Sequence, residues 1–242
     1  MCTLTYLPRP EGYLLTHSRD ESPHRPSSDR IYKKQVENLE LYYPLDLEAR
    51  GTWIGMSSFL SDNRTKGRSA CVLNGGSIPY QRQAPYARSR GELVLAVLQA
   101  RHATEWVANF DFSAFEPFTL IVKEEDAIYQ MVHNPEQDEL FKLNGDEPHI
   151  WSSTTLYEPP VRAERASHFY HWLASKPLIN PETLREFHLR GYEAQQFPGF
   201  KLYIPGQVET VSLTQIAVSG TARKMHYHHL LKDQEDHVLL ES

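Results

Sequence analysis

The chain has 242 residues, of which 40% are hydrophobic and 23% charged, a composition typical of a globular protein. Its net charge of −6 argues against nucleic acid as a partner, because nucleic-acid-binding proteins carry an excess of basic side chains. Two cysteines are too few for a disulfide scaffold, and no apolar run reaches the roughly 18 residues of a membrane-spanning helix. The N-terminus has no secretory signal pattern, so we expect a cytoplasmic protein without stable membrane insertion. With no convincing linker, residues 1–242 are expected to form one domain.

The first part of the chain is typical of β-structure. Predicted strands cover residues 2–7, 13–18, 36–43, 51–56 and 69–74. No helix separates them, which favours antiparallel pairing. A turn rich in proline and glycine joins the first two, and this pattern predicts a hairpin that holds the start of the chain on a sheet.

Helices and further strands alternate in the rest of the chain. Ser89 and Glu92 form a capping-box pattern at the start of a helix that extends to about Arg101. Asn180 and the proline after it mark the start of a later helix, which Gly191 closes. Other predicted elements are helices at 103–109 and after 159–160, and strands at 118–123, 127–133, 149–153, 209–219 and 222–230. This succession indicates sheets covered by helices on their outer faces.

Cys2 directly follows the start methionine, which gives it an option that an internal cysteine lacks. If Met1 is removed, Cys2 carries a thiol and an α-amine, and such an amine has a pKa of about 7.7–8.0 and accepts a proton near neutral pH. A terminal amine that deprotonates its own side chain is an established way to activate a nucleophile. An ordinary small residue after the start is the alternative interpretation. Cys71 lies in an apolar run and is interpreted as a small buried hydrophobic residue.

Five short motifs occur in a fixed order within the first 95 residues. They are Met1-Cys2, Ser18-Arg19-Asp20-Glu21 followed by Arg25-Pro26, Gly51-Thr52-Trp53-Ile54-Gly55, Leu73-Asn74 and Ser89-Arg90-Gly91-Glu92-Leu93-Val94. This set resembles the family named for its Asn-Arg-Asp-Glu (NRDE) motif, to which transport and Golgi organisation proteins belong. The resemblance implies an N-terminal nucleophile (Ntn) hydrolase fold. That fold is of the α+β class, a four-layer αββα sandwich of two antiparallel sheets.

The start of the chain also resembles the choloylglycine hydrolases, which cleave amide bonds with an N-terminal cysteine. That resemblance implies that Cys2 is the nucleophile and that Asp20 accepts a hydrogen bond from its amine. It further implies that Arg19 supplies positive charge beside the sulfur, and that Asn74 donates its amide N–H to the developing oxyanion. No cofactor is implied.

The chain departs from these relatives at several positions. Ser18 stands where the NRDE motif has asparagine, and hydroxyls of Ser152 and Ser153 stand where the hydrolases use a second asparagine. Adjacent residues on a straight strand face opposite sides, so Arg19 and Asp20 both reach the cysteine only if their strand bends or ends there. Otherwise one of the pair is structural, for example as half of an ion pair that holds a loop.

Two functions remain open. One is a cysteine amidase that cleaves a non-peptide C–N amide bond of a small molecule. The other is a non-catalytic carrier or chaperone that binds haem or a lipid-like hydrophobic ligand in the same pocket, since the family has been implicated in moving haem. Asn74 equally fits a simple turn residue before two glycines. His226 and His228 would share a strand face, but a zinc site needs more converging ligands, so no metal site is predicted.

Overall fold

The computed structural model describes residues 2–59, 67–78, 80, 86–124, 127–175, 178–190 and 200–240. In chain order the elements are β1 (Cys2–Arg9), β2 (Gly12–Glu21), β3 (Ser27–Val36), β4 (Leu39–Asp46), β5 (Ile54–Phe59), β6 (Ser69–Asn74), α1 (Gly91–Gln99), α2 (Ala103–Asn109), β7 (Phe118–Glu124), β8 (Ala127–His133), β9 (Asp138–Leu143), β10 (His149–Ser152), α3 (Pro159–Ser175), α4 (Pro181–Leu189), β11 (Tyr203–Ile204), β12 (Val208–Ser219), β13 (Ala222–His229) and β14 (Gln234–Leu240). They form two antiparallel sheets with four helices among the described residues, which confirms the α+β class. The four-layer arrangement stays a prediction.

The chain folds as two compact units. One unit contains the residues up to Arg25 together with those from Glu147 onward, and the other contains Pro26–Asp146. Each unit is built on one of the two sheets. The expectation of a single domain is left as a prediction. No helix within the described ranges has the length and apolar character needed to cross a lipid bilayer.

The sheet of the first unit has the strand order β10-β1-β2-β12-β13-β14, and β11 pairs with β12. The predicted N-terminal hairpin is therefore present and lies inside the sheet, with β10 on one side and β12 on the other. Helices α3 and α4 pack on one face of this sheet, because strand alternation presents apolar side chains to them. Their shared core consists of Leu14, Phe169, Trp172, Leu184 and Phe200.

The sheet of the second unit runs in sequence order from β3 to β9. Helix α1 covers it with an apolar face at helical spacing, formed by Leu93, Val94, Val97 and Leu98. The buried guanidinium of Arg68 closes the end of this helix, donating to the carbonyl oxygens of Val97 at 2.5 Å and Ala100 at 2.8 Å. Arg68 also forms an ion pair with Glu124, whose second oxygen accepts the N–H of Ala103 at the start of α2.

The helix boundaries agree with the sequence signals in most respects. Asn180 caps α4 through a reciprocal pair of hydrogen bonds with Thr183, as its position before a proline predicts. At α1 only half of the expected capping box forms. Glu92 accepts the backbone N–H of Ser89 at 3.0 Å, but the Ser89 hydroxyl accepts from Gly91, and the helix ends at Gln99 rather than near residue 101. Helix α4 ends at Leu189, and the predicted stop at Gly191 lies outside the described residues.

The strand predictions fail mainly at sheet edges. The predicted strand 36–43 is confirmed for residues 39–43, which belong to β4, but its start is misplaced, because the chain turns at Glu37 (φ +55°) between β3 and β4. Three edge strands, β3, β9 and β14, carry many exposed polar side chains. Such strands lack the apolar alternation that identifies a strand in the sequence, a pattern typical of sheet edges that avoid pairing with other molecules. For this reason β9 and β14 were not predicted.

Candidate functional site

Cys2 is the first residue of β1 and is only 4% exposed. It lies directly opposite Arg19 in the antiparallel pairing of β1 with β2. On its other side the Cys2 carbonyl oxygen accepts the backbone N–H of Ser153 at 2.9 Å. The backbone of the proposed nucleophile is thus held between two neighbouring segments, while Met1 lies outside the described residues.

The two residues after Ser18 face opposite sides of the sheet. Strand β2 continues through Asp20 to Glu21, so the strand does not end where both side chains would need to reach the cysteine. Arg19 shares a face with Cys2, because the two are direct partners across the ladder. Asp20 belongs to the other face, which is the face that α3 and α4 cover.

Asp20 is fully buried and accepts two side-chain hydrogen bonds. The phenol of Tyr157 donates to one carboxylate oxygen at 2.8 Å, and the hydroxyl of Thr210 donates to the other at 2.6 Å. Burial raises the pKa of Asp20, and these two hydroxyls together with the positive charge of Arg165 only partly oppose that effect. Burial also raises the pKa of Tyr157 far above its usual value, so the phenol remains a donor. Asp20 therefore connects β2, β12 and the segment before α3.

An extra residue in β12 makes this contact compatible with the ladder. Thr210 pairs with Asp20, but Ser212 rather than Val211 pairs with Arg19, so the strand bulges at Val211. A bulge places two residues of one strand opposite one residue of its partner. As a result, Thr210 lies on the same face as Asp20, and Ser212 lies on the same face as Arg19.

The thiol of Cys2 is in an environment that favours its protonated form. Burial has the largest effect on the pKa of Cys2 and raises it. The Asp20 carboxylate raises this pKa further, and the guanidinium of Arg19 lowers it by less than burial raises it. Arg19 lowers the pKa of Cys2, as expected, but the net pKa is still raised. The thiol therefore needs a base before it can act as a nucleophile.

Asn74 is the last residue of β6, in the second unit. The turn after it takes its left-handed conformation at Gly75 (φ +89°) and not at Asn74. Two hydrogen bonds fix this turn: the Gly75 N–H donates to Pro117 O at 2.9 Å, and the Thr119 hydroxyl donates to Gly75 O at 3.0 Å. The interpretation of Asn74 as a residue chosen for left-handed backbone angles is therefore weakened. Its proximity to Cys2, Arg19 and Asp20 stays a prediction.

Two buried residues on the helical side of the first sheet were not singled out from the sequence. Arg165 of α3 donates to Thr3 Oγ1 at 2.6 Å, and its guanidinium lies 4.3 Å from the ring centroid of Tyr157. The two ring nitrogens of His188 on α4 form hydrogen bonds with Thr5 Oγ1 at 2.8 Å and Ser18 Oγ at 2.9 Å. Alternating hydroxyl residues in the first two strands were the available signal, since such positions are expected to be apolar when helices cover them.

Of the serines that stand where relatives have asparagine, Ser18 and Ser153 have hydrogen-bond partners, whereas the buried Ser152 hydroxyl has none among the described residues. Ser18 contacts α4 through His188, which ties the NRDE-like motif to the helical layer. Ser153 is buried, its hydroxyl forms a hydrogen bond with Thr155 at 3.1 Å, and its backbone contacts Cys2. This contact places the backbone of the Ser152–Ser153 segment next to Cys2.

Histidines on β13 have acidic neighbours on one face. His226 contacts Glu235 at 3.2 Å, and His228 contacts Asp233 at 3.1 Å. Across the described ranges, no group of three or more histidine, cysteine, aspartate or glutamate side chains is arranged to hold a metal ion. These contacts join β13 to β14 and to the turn that precedes β14.

Comparison with known proteins tests the family resemblance of the five motifs. No match to a curated protein was found. A family model described as Transport and Golgi organisation 2 matches residues 1–186, which is well over half of the chain and includes Cys2, the Ser18–Glu21 motif and Asn74. The resemblance to the NRDE family is thereby confirmed, and the chain belongs to the Transport and Golgi organisation 2 family.

Proposed function

We propose that this protein is a cysteine amidohydrolase of the Ntn-hydrolase type, which cleaves a non-peptide C–N amide bond of a small molecule. The observation that supports the proposal is the position of Cys2 at the start of β1, with Arg19 directly opposite it and β10 on its other side. A nucleophile on a strand inside a sheet keeps a precise position, which catalytic geometry requires. Two buried thiols fit a reducing compartment, so we expect the cytoplasm as its location.

The reaction begins with proton removal, because burial keeps the Cys2 thiol protonated. After removal of Met1, the α-amine of Cys2 takes the thiol proton and the sulfur attacks the amide carbonyl carbon. The C–N bond then breaks, the leaving amine receives that proton, and a thioester remains on Cys2. Water attacks the thioester with the same amine as base, which releases a carboxylic acid and restores the thiol.

The other three residues stabilise charge in this scheme. The negative charge of Asp20 favours the protonated amine, and its hydrogen bonds to Tyr157 and Thr210 keep that charge in place. The guanidinium of Arg19 favours the thiolate. Asn74 donates its side-chain N–H to the oxyanion, and loss of one such donor costs about 2.7–4 kcal/mol of transition-state stabilisation in other enzymes.

Amidase activity is tested with Cys2→Ser and its matched control, Cys71→Ser. Both cysteines are buried, so the two variants face a similar loss of apolar packing. Intact-mass measurement first establishes whether Met1 is removed, and a panel of small amides is then assayed for amine release. Cys2→Ser should reduce turnover at least about 100-fold, whereas Cys71→Ser should retain it. A retained Met1, or equal activity of the two variants, contradicts the proposal.

One observation favours the second candidate, a carrier of haem or another hydrophobic ligand. The raised pKa of Cys2 makes the thiol a poor nucleophile for as long as no base is exposed next to it. A carrier needs no activated thiol and no removal of Met1. Titration of haem into the wild type and into Cys2→Ala distinguishes the two functions. Tight binding by both proteins, without amide turnover, supports the carrier, and the absence of haem binding excludes haem as its ligand.

A further inference from the structure

Beside Cys2, two rows of side chains cross the face of the sheet that does not contact α3 and α4. The first row runs from Cys2 through Arg19 to Ser212, and each residue is paired with the next across the ladder. The second row, two residues further along the strands, contains His17 and its partner Thr214. Residues two apart on a strand share a face, so these side chains form one continuous patch.

Three members of this patch lack hydrogen-bond partners within the described part of the chain. Both ring nitrogens of His17, the hydroxyl of Thr214 and the hydroxyl of Ser212 are buried and make no hydrogen bond there. All three residues are 0% exposed. An unsatisfied buried polar group costs about 1–3 kcal/mol, so four such atoms on one patch require an explanation.

The opposite face of the same strands behaves differently. Thr16 and Ser18 alternate with His17 on β2 and are equally buried. Each has a partner on the helical side: the Thr16 hydroxyl accepts from Gln215 at 2.9 Å, and Ser18 contacts His188. On β2 and β12, therefore, the buried imidazole and hydroxyls that have no partner among the described residues lie on the face that carries Cys2, whereas the buried hydroxyls on the helical face of these two strands are paired. This contrast points to a ligand on the Cys2 face.

We propose that His17, Thr214 and Ser212 form a polar subsite that binds a hydroxyl or carboxamide group on the acyl part of the substrate. This inference rests on the proposed amidase function, since it assigns the substrate class of that same site. A neutral imidazole offers one donor and one acceptor, and each hydroxyl offers both. An alcohol or a primary amide matches that set, whereas a plain fatty acyl chain leaves every one of these atoms unsatisfied.

The charge state of His17 supports a neutral ligand group. Burial, together with nearby positive charge that includes Arg19, holds the pKa of His17 well below its usual value. The ring is therefore uncharged at physiological pH and provides a hydrogen-bonding pair rather than a cation. A carboxylate would use only the donors of the patch, so a group that both donates and accepts is the better match.

The ladder also sets the distance between this subsite and the reacting carbonyl. His17 is the diagonal neighbour of Cys2, since it lies two residues before the direct partner Arg19. Diagonal neighbours on one face are about 7–8 Å apart. At about 1.3 Å of chain per bond, this separation places the polar group about five to six bonds from the carbonyl carbon that Cys2 attacks.

The test compares two anilides that differ by one hydroxyl: the p-nitroanilides of 5-hydroxyhexanoic acid and of hexanoic acid. Binding is measured by calorimetry on the Cys2→Ala protein, so that it does not depend on turnover. We expect the hydroxylated anilide to bind at least about tenfold more tightly, because a buried site built for hydrogen bonds rejects a ligand that lacks them. Thr214→Val and His17→Leu, each in the same background, should remove that preference.

Thermal unfolding of the ligand-free protein provides a second measurement, with Thr16→Val as the matched control. Thr214→Val replaces an unsatisfied hydroxyl with a methyl group and should not lower the melting temperature. Thr16→Val removes one of the two acceptors of the Gln215 amide, the other being Pro181 O at 3.1 Å, and should lower the melting temperature. Equal binding of the two anilides, binding of neither, or a Thr214→Val protein that melts as low as Thr16→Val overturns the subsite. Preferential binding without hydrolysis by the wild type rejects the amidase and leaves the subsite standing.

Discussion

His188 makes the stability of the first unit sensitive to acid. Its imidazole is completely buried, and both of its ring nitrogens are engaged by hydroxyls of β1 and β2. Burial, with a smaller contribution from Arg165, lowers the pKa of His188 to about 3. In the unfolded chain the same imidazole has a pKa of about 6.5. The folded state therefore excludes a proton that the unfolded state binds throughout the range between these two values.

The sign and size of the effect follow from this difference. Above pH 6.5 neither state is protonated at His188 and the stability is intact; as the pH falls towards 3, the unfolded state gains protons and stability is lost. Each pH unit below 6.5 costs about 1.4 kcal/mol, so the loss reaches about 2 kcal/mol at pH 5. His188→Gln keeps a polar side chain but does not titrate. The stability advantage of the wild type over this variant should shrink by about 2 kcal/mol between pH 7 and pH 5.

Urea unfolding at pH 7, 6 and 5 measures this change in the free energy of unfolding. His171→Gln, on the exposed side of α3, is the matched control for the loss of a histidine from the same unit. If the difference between the wild type and His188→Gln stays constant with pH to within about 0.5 kcal/mol, the linkage argument fails. In that case the imidazole is not shielded from protons as its hydrogen bonds imply.

Three further predictions concern buried charge and the thiol. Arg68→Ala leaves backbone carbonyls and the partly buried carboxylate of Glu124 without their donor and should lower the free energy of unfolding by about 3–5 kcal/mol. Arg88→Ala removes an exposed ion pair and cation–π contacts with Phe110 and Phe115, and should lower it by less than about 2 kcal/mol in the same denaturation assay. Alkylation of Cys2 by iodoacetamide at pH 7 should be slower in the folded than in the unfolded protein, because burial raises the thiol pKa. Arg19→Gln should slow the alkylation of the folded protein further, because it removes a positive charge that lowers this pKa. An unchanged alkylation rate in Arg19→Gln contradicts this prediction. Tyr157→Phe removes one donor from the buried carboxylate of Asp20 and should cost about 1–3 kcal/mol in urea unfolding, and an unchanged free energy of unfolding contradicts the stabilising role of this hydrogen bond.

Local signals in the sequence predicted the elements that frame the site. The hairpin that holds Cys2 follows from two short strands around a proline- and glycine-rich turn, and Asn180 identified the start of α4. The C-terminal hairpin was predicted because Gly220 supplies the left-handed turn between two alternating strands. Each of these signals depends on residues that are close together in the chain.

The contacts that define the site depend on residues that are far apart, and for that reason they were not predicted. Tyr157 lies 137 residues from Asp20, and His188 lies 183 residues from Thr5. Nothing local in either sequence segment indicates such a partner. Strand alternation indicates that Arg19 and Asp20 face opposite sides, but which of the two shares a face with the cysteine depends on the register of β1 against β2.

The extra residue at Val211 has an evolutionary consequence. Without the extra residue, the hydroxyls of Thr210 and Ser212 would lie on the same face of the sheet. With it, Thr210 contacts Asp20 on one face and Ser212 joins the patch beside Cys2 on the other. Deletion of this one residue would move every later side chain of β12, up to Ser219, to the opposite face of the sheet, or else disrupt the ladder. We therefore expect descendants of this gene to tolerate changes of side chain at Val211 far better than changes of length.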